Sequence, residues 1–492
     1  MPLIPLEIPP GVYRNGTELE QTGRWRDANL VRWRDGSLRP MGGWRVRVAT
    51  AYTGVPRGML AWQDLSGDRR IAVGSSSNLH VTSASGTTTD ITPAGFTNGS
   101  ESATVNTGFG GSFYGTSFYG VERPDTGNFS EATTWSLDNF GENLVACSSS
   151  DGILYEWTLD TGVVAAAIAN APVGNVGLLV TSERFLFALG AGGNPRKVQW
   201  SDREANTVWT AADTNEAGDI ELQSSGSIQC AVQTRGQALI LTDQDAHTAT
   251  YQGPPFVYGF ERVGQACGIV SRKAIASIHD GVFWMGQESF YAYSGGAVQE
   301  LPCDVADYVF GDINRAQISK VHAVSMSQQG EVWWFYPSGA SNECDRYVVL
   351  DHKEGHWTIG QIARTAAVQR GVFKYPLWCD SLGNLYEHEA GLDYEGATIF
   401  AESGPISLGA GDQVMSATML IPDEATAGDV TATFKTRFYP NDTERTYGPY
   451  TMAAPTDVRF TGRQVRMRVE GNALSNWRVG VMRLEAKAGG LR

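Results

Sequence analysis

One layout recurs along the chain at a nearly constant interval, and this repeat restricts the fold more than any other feature. An apolar run is followed by a Gly or Asp turn, a second apolar run and an aromatic-rich third. With Trp135, Leu178, Ala231, Ala276, Ala323 and Ala367 as equivalent first-strand positions, the intervals are 43, 53, 45, 47 and 44 residues. Residues 57–93 carry the same rhythm ahead of them. Period-2 alternation, as in Gly281-Val282-Phe283-Trp284-Met285-Gly286, marks strands rather than helices. Four-stranded propeller blades recur at ~40–50 residues, whereas solenoid repeats are shorter and stricter. The expected fold is all-β: a β-propeller of about seven blades, with six to eight allowed by the spacing.

Composition agrees. The 492 residues include 57 Gly and 14 Trp with only 18% charged residues, which excludes disorder and disfavours a helical bundle. The six cysteines form no CxxC pair, so buried free thiols are expected rather than a zinc or redox site. The opening MPLIPLEIPPG lacks a basic n-region, and the apolar stretch 163–180 is broken by Pro172, Gly174 and Gly177. The expectation is a soluble chain made in a reducing cytoplasm, without membrane insertion.

Three regions follow from the patterning: an extended N-terminal arm (1–50), the propeller (51–391, with a Gly/Ser/Tyr-rich insertion at about 95–130) and a C-terminal β-sandwich (392–492). The sandwich reading rests on alternating runs at 414–421, 430–439, 464–469 and 477–484. Charge is unevenly shared among them. Residues 1–50 carry a net +3 and residues 459–492 a net +6, while the body between carries −24. An acidic body cannot grip nucleic acid by releasing counterions. In the arm, Trp25, Trp33 and Trp44 alternate with Arg26, Arg32, Arg34 and Arg39. Four acids, Glu18, Glu20, Asp27 and Asp35, dilute a nucleic-acid reading, so this composition favours an arm that docks on protein. Arg466 and Arg468 point to one face of a strand and are further interface candidates.

Catalytic signatures are weak. Asp351-His352-Lys353-Glu354-Gly355-His356 places two histidines around a glycine turn, not on one helical face as a zincin requires. Ser149-Ser150-Asp151-Gly152 reads as a hairpin turn, and the pair Asp380 and Glu387 has no anchor as a glycosidase site. No enzymatic activity, cofactor or metal is expected.

Several short motifs resemble the tail-nozzle family of short-tailed bacteriophages, also called tail tubular protein B or packaged-DNA stabilisation proteins. They are Asn29-Leu30-Val31-Arg32-Trp33, Asp35-Gly36-Ser37-Leu38-Arg39-Pro40-Met41-Gly42-Gly43, Gly264-Gln265-Ala266-Cys267-Gly268-Ile269 with Asp280-Gly281-Val282-Phe283-Trp284-Met285-Gly286, Val348-Val349-Leu350-Asp351, and the closing strands 464–469 and 477–480. The Tyr-Gly-rich stretch 108–120 departs from the family pattern. The resemblance implies a structural virion protein in the phage tail, assembled in the host cytoplasm. It implies a homohexamer below a head-to-tail adaptor, with a needle or plug and fibres or spikes as further partners, and transient passage of dsDNA during ejection. The alternatives from the residues themselves are a carbohydrate-binding or glycan-degrading propeller and a cytoplasmic protein-interaction propeller. A glycan site would gather acids and tryptophans on one face.

Overall fold

The computed structural model describes residues 3–105, 129–279, 281–407, 413–472 and 474–489. Most of the Gly/Ser/Tyr-rich insertion, including 108–120, lies outside the described residues, as does Asp280.

Seven four-stranded antiparallel sheets follow one another around a ring. Their innermost strands are Gly58–Gln63, Trp135–Phe140, Gly177–Val180, Ile228–Thr234, Ile275–Ile278, His322–Met326 and Ala366–Val368. Each touches the next, and the seventh returns to the first, so the ring is closed. The six equivalent positions read from the repeat all fall on innermost strands. The longer interval of 53 reflects the irregular chain between Lys197–Trp200 and Gly218–Glu221 of blade 3. Strands alternate because one face of each blade packs on the next. In blade 6, Glu331–Pro337 is buried at every position, as a strand between two neighbouring sheets must be.

Blade 7 shows how the ring is held. Local sequence supplies only Ala366–Val368, Leu377–Cys379 and Leu385–His388, and the fourth strand is Trp44–Val48 from the start of the chain. Its register pairs Leu385 with Val48, Tyr386 with Val46, Glu387 with Arg45 and His388 with Trp44. This strand fastens the first blade to the last.

The extended-arm expectation for residues 1–50 therefore needs correcting, as does the propeller boundary at 51. Leu3–Pro5 is the edge strand of one sandwich sheet, beside Arg483–Ala488. Trp25–Asn29 is the edge of the other, beside Ile399–Ser403. Val31–Arg34 and Ser37–Pro40 form a hairpin, and Trp44–Val48 belongs to the propeller. The physical reason is that a free extended segment leaves its backbone N–H and C=O groups to water, whereas sheet edges offer ready partners.

The sandwich packs Val430, Ala432 and Phe434 against Val458 and Phe460, with Val465, Met467 and Val469 inward. It shares one continuous apolar core with blades 4 to 7, and the N-terminal segment contributes to the same core. Leu30 N–H donates to the Tyr347 hydroxyl at 2.8 Å, and Gln361 N–H donates to Asn29 Oδ1 at 2.9 Å. All six cysteines are free thiols, five of them buried. No helix among the described residues is long and apolar enough to cross a membrane.

Candidate binding site in the propeller axis

The sequence-derived interface candidates lie at the junction between propeller and sandwich, and the chain itself occupies them. Trp25, Trp33 and Trp44 are buried. Trp33 meets Trp25 at 5.9 Å and His356 edge-on at 6.0 Å, while Trp44 stacks on His388 at 5.3 Å. Arg26 pairs with Glu18 at 2.7 Å. Arg32 sits between Glu331 (Nε to Oε1, 2.9 Å) and Glu389 (Nη2 to Oε1, 2.5 Å). Burial opposes the guanidinium charge, but the two carboxylates outweigh it and push the pKa of Arg32 above the usual arginine range. Arg34 donates to the carbonyl of Gln329, and Arg39 to the carbonyl of Arg34 and to Ser37. Arg466 and Arg468 do share a face, and both reach Glu402 on the neighbouring strand of their own sheet. Burial alone would raise the pKa of Glu402; Lys435, Arg466 and Arg468 instead hold it below the ordinary carboxylate range. These residues cement one chain: the docking on protein expected of them takes place on the chain's own propeller and sandwich.

The candidate catalytic groups are likewise structural. Residues 352–355 turn between Cys344–Asp351 and His356–Gln361 of blade 6. Asp380 accepts N–H groups from Leu382 and Asn384 and the hydroxyl of Tyr386, while Glu387 is clamped by Arg45 and Arg47. Among the described residues, no group of three or more His, Cys, Asp or Glu could hold a metal.

What the sequence did not reveal is the propeller axis. At the finishing ends of the inner strands, a cleft of about 840 Å³ opens among blades 4 to 7. Its rim carries exposed Arg235, His279, Ser327 and Gln369. Arg235 Nη2 lies 2.8 Å from His279 Nε2, and Ser325 and Ser327 both donate to Gln369 Oε1. Toward the starting ends lies an inner chamber of about 390 Å³, walled by residues from all seven blades. Gln233 lines both spaces.

Basic groups surround the inner chamber. Arg57, Arg272, Lys273 and His322 line it, with Asp138 as its one carboxylate among the described residues. Arg57 Nη2 reaches both oxygens of Glu343 at 2.7 Å, and Arg272 Nη1 reaches Glu131 at 2.8 Å. Burial lowers the pKa of Lys273 and raises that of Asp138. A signal for this site was present in the sequence: Arg57 and Lys273 stand one and two residues before the inner strands of their repeats. No spacing motif links them, because only ring closure brings them together.

His322 gives this region a measurable pH dependence. Its ring stacks on Phe335 at 4.9 Å, and burial, with Arg57 and Lys273 adding to it, lowers its pKa from 6.5 to about 4. The unfolded imidazole therefore binds a proton first. Its contribution to stability is complete above pH 6.5 and is lost as pH falls toward 4, on the order of 3 kcal/mol in all. Denaturant midpoints at pH 7 and pH 4.5 should fall less for His322→Gln than for the parent. Equal losses in the two proteins would show that His322 does not titrate in this way.

Comparison with protein-family models and with curated proteins returned no match. Solved structures do resemble the chain in fold. Virginiamycin B lyase from Staphylococcus aureus is 8% identical, over 70% of this chain and 98% of that one, with a TM-score of 0.44. The Pan2 WD40 domain of Neurospora crassa is 8% identical over 72% and 95%, with a TM-score of 0.38. BBS1N in complex with ARL6DN is 8% identical over 71% and 97%, also at 0.38. The chain is a β-propeller with a C-terminal sandwich. These resembling structures are a lyase, a WD40 domain and BBS1N, none of them a phage tail protein, and on that finding the tail-nozzle function expected from the short motifs is corrected.

Proposed function

We propose that this propeller is a non-catalytic interaction module that receives a polar segment of a protein partner at the wide axial mouth. The observation that supports this over a glycan-binding role is the fate of the indoles. All 14 tryptophans of the chain are buried, so none offers a face for stacking a sugar ring. The mouth instead presents exposed, mostly uncharged hydrogen-bonding side chains from four successive blades, a composition suited to the backbone and polar side chains of a peptide loop. The acid pair noted in the sequence, Asp380 and Glu387, is engaged in turn and ion-pair duties.

The test is a peptide-display selection on the purified chain run beside a glycan array. Selected peptides should bind at least about tenfold more weakly to the Arg235→Ala, Gln369→Ala double variant, the loss expected for two polar contacts. Binding to glycans alone, or peptide binding indifferent to both substitutions, would overturn the reading.

A further inference from the structure

Inside the ring, beyond the mouth assigned to a partner, the structure holds hydrogen-bond donors that no protein group satisfies. Arg57 is 4% exposed and its Nη2 is engaged by Glu343, yet its Nε and Nη1 have no partner. Arg272 Nε is also buried without one. No hydrogen bond or ion pair engages the Lys273 ammonium among the described residues. Its side chain is half-buried and borders the free space of the chamber. A buried polar group normally finds a partner, and a buried charge normally finds a counter-charge. On the cationic side chains of the chamber the shortfall is one of donors, drawn from blades 1 and 5.

Asp138 does not make up the difference. Its Oδ2 accepts Val180 N–H at 2.9 Å and its Oδ1 accepts Asn139 N–H at 2.8 Å, so the carboxylate is committed to the edge of blade 3 and to its own strand. Glu343 and Glu131 compensate Arg57 and Arg272 from one side only, and Glu343 is shared with Lys320, whose Nζ lies 2.7 Å from it.

We infer that the inner chamber is a binding site for a small oxyanion, a phosphate or the carboxylate end of a short organic acid, held by Arg57, Arg272 and Lys273 with His322 beside them. The chamber volume of about 390 Å³ admits such a molecule but not a folded segment. Planar guanidinium groups present paired N–H donors to two oxygens of one anion, and the Lys273 ammonium adds a point charge. Gln233, whose Oε1 is buried without a partner, stands where the chamber meets the wide mouth and lies on the route of entry. The site is independent of the partner reading, since it requires nothing to bind at the rim.

The experiment is isothermal calorimetry and thermal melting of the purified chain with sodium phosphate, sodium succinate or sodium chloride at matched ionic strength. Phosphate or succinate should give saturable heat and a melting temperature that rises with concentration; chloride should give neither. Comparing the first two distinguishes a phosphate from a carboxylate ligand. Lys273→Met should weaken binding about ten- to a hundredfold, the range for losing a charge-assisted contact. In anion-free buffer the same variant should melt no lower than the parent, because burial disfavours the ammonium charge and no hydrogen bond or ion pair among the described residues holds it. Asp138→Asn, which removes the one opposing charge, should bind at least as tightly as the parent. Absence of saturable binding by either oxyanion, or a Lys273→Met protein that binds as well as the parent, would overturn the assignment. Where Lys273→Met fails to fold, the parent titration and Asp138→Asn decide.

Discussion

Removing residues 1–49 is expected to leave a chain that does not fold. The deletion takes away the fourth strand of blade 7 and one edge strand from each sandwich sheet. It also removes Trp25, Trp33 and Trp44, whose partners in the shared core would be left exposed. Truncating one buried tryptophan costs about 3–5 kcal/mol, and a whole domain is stable by only about 5–15 kcal/mol. Trp33→Ala alone is therefore expected to lose about 3–5 kcal/mol in urea denaturation, while the deletion should abolish the cooperative transition. A truncated chain that melts near the parent would show that closure of the ring contributes little.

Replacing Arg32 with Met should cost about 3–5 kcal/mol, because two carboxylates then remain without their shared cation. Glu331 is 2% exposed, and its other contact is an N–H from Trp333 at 3.0 Å. Arg34 stands 4.0 Å from the same carboxylate, too far for a hydrogen bond to replace the lost one. The double variant Arg32→Met, Glu331→Gln should recover a large part of the loss, since it removes the stranded charge rather than merely its partner. Chemical denaturation of the four proteins in the cycle measures this directly. A double variant no more stable than Arg32→Met would mean that the arginine acts through packing alone.

The parts of the molecule legible in the sequence were those governed by local pattern. Each blade carries its own alternation and its own turns, so positions such as Ala231 and Ala276 could be assigned to inner strands without knowing their neighbours. The role of Trp44–Val48 was not legible. The alternation Trp-Arg-Val-Arg-Val marks a strand, but its partner, Leu385–His388, is more than three hundred residues away, and nothing local specifies that register. The interleaved tryptophans and arginines correctly suggested docking on protein, yet composition does not distinguish a surface offered to another molecule from one already covered by the same chain. The axial chamber was hidden for a related reason. Arg57, Lys273 and His322 come from three separate repeats, and each alone reads as an ordinary residue at a strand boundary.

The strand that closes the ring also sets an order of events during synthesis. Trp44–Val48 emerges from the ribosome early and must wait until Leu385–His388 has been made. At ~5–20 residues per second, that interval is roughly 20–70 s. For that time, a segment bearing Trp25, Trp33 and Trp44 has no permanent neighbour, while the middle blades can already stack on one another. The nascent chain is thus an open arc with an unsatisfied apolar end, and this makes it a substrate for chaperones that hold extended apolar segments. Slower translation would lengthen that exposure without changing the finished protein, so the yield of folded chain should depend on the rate of synthesis more strongly than its stability does.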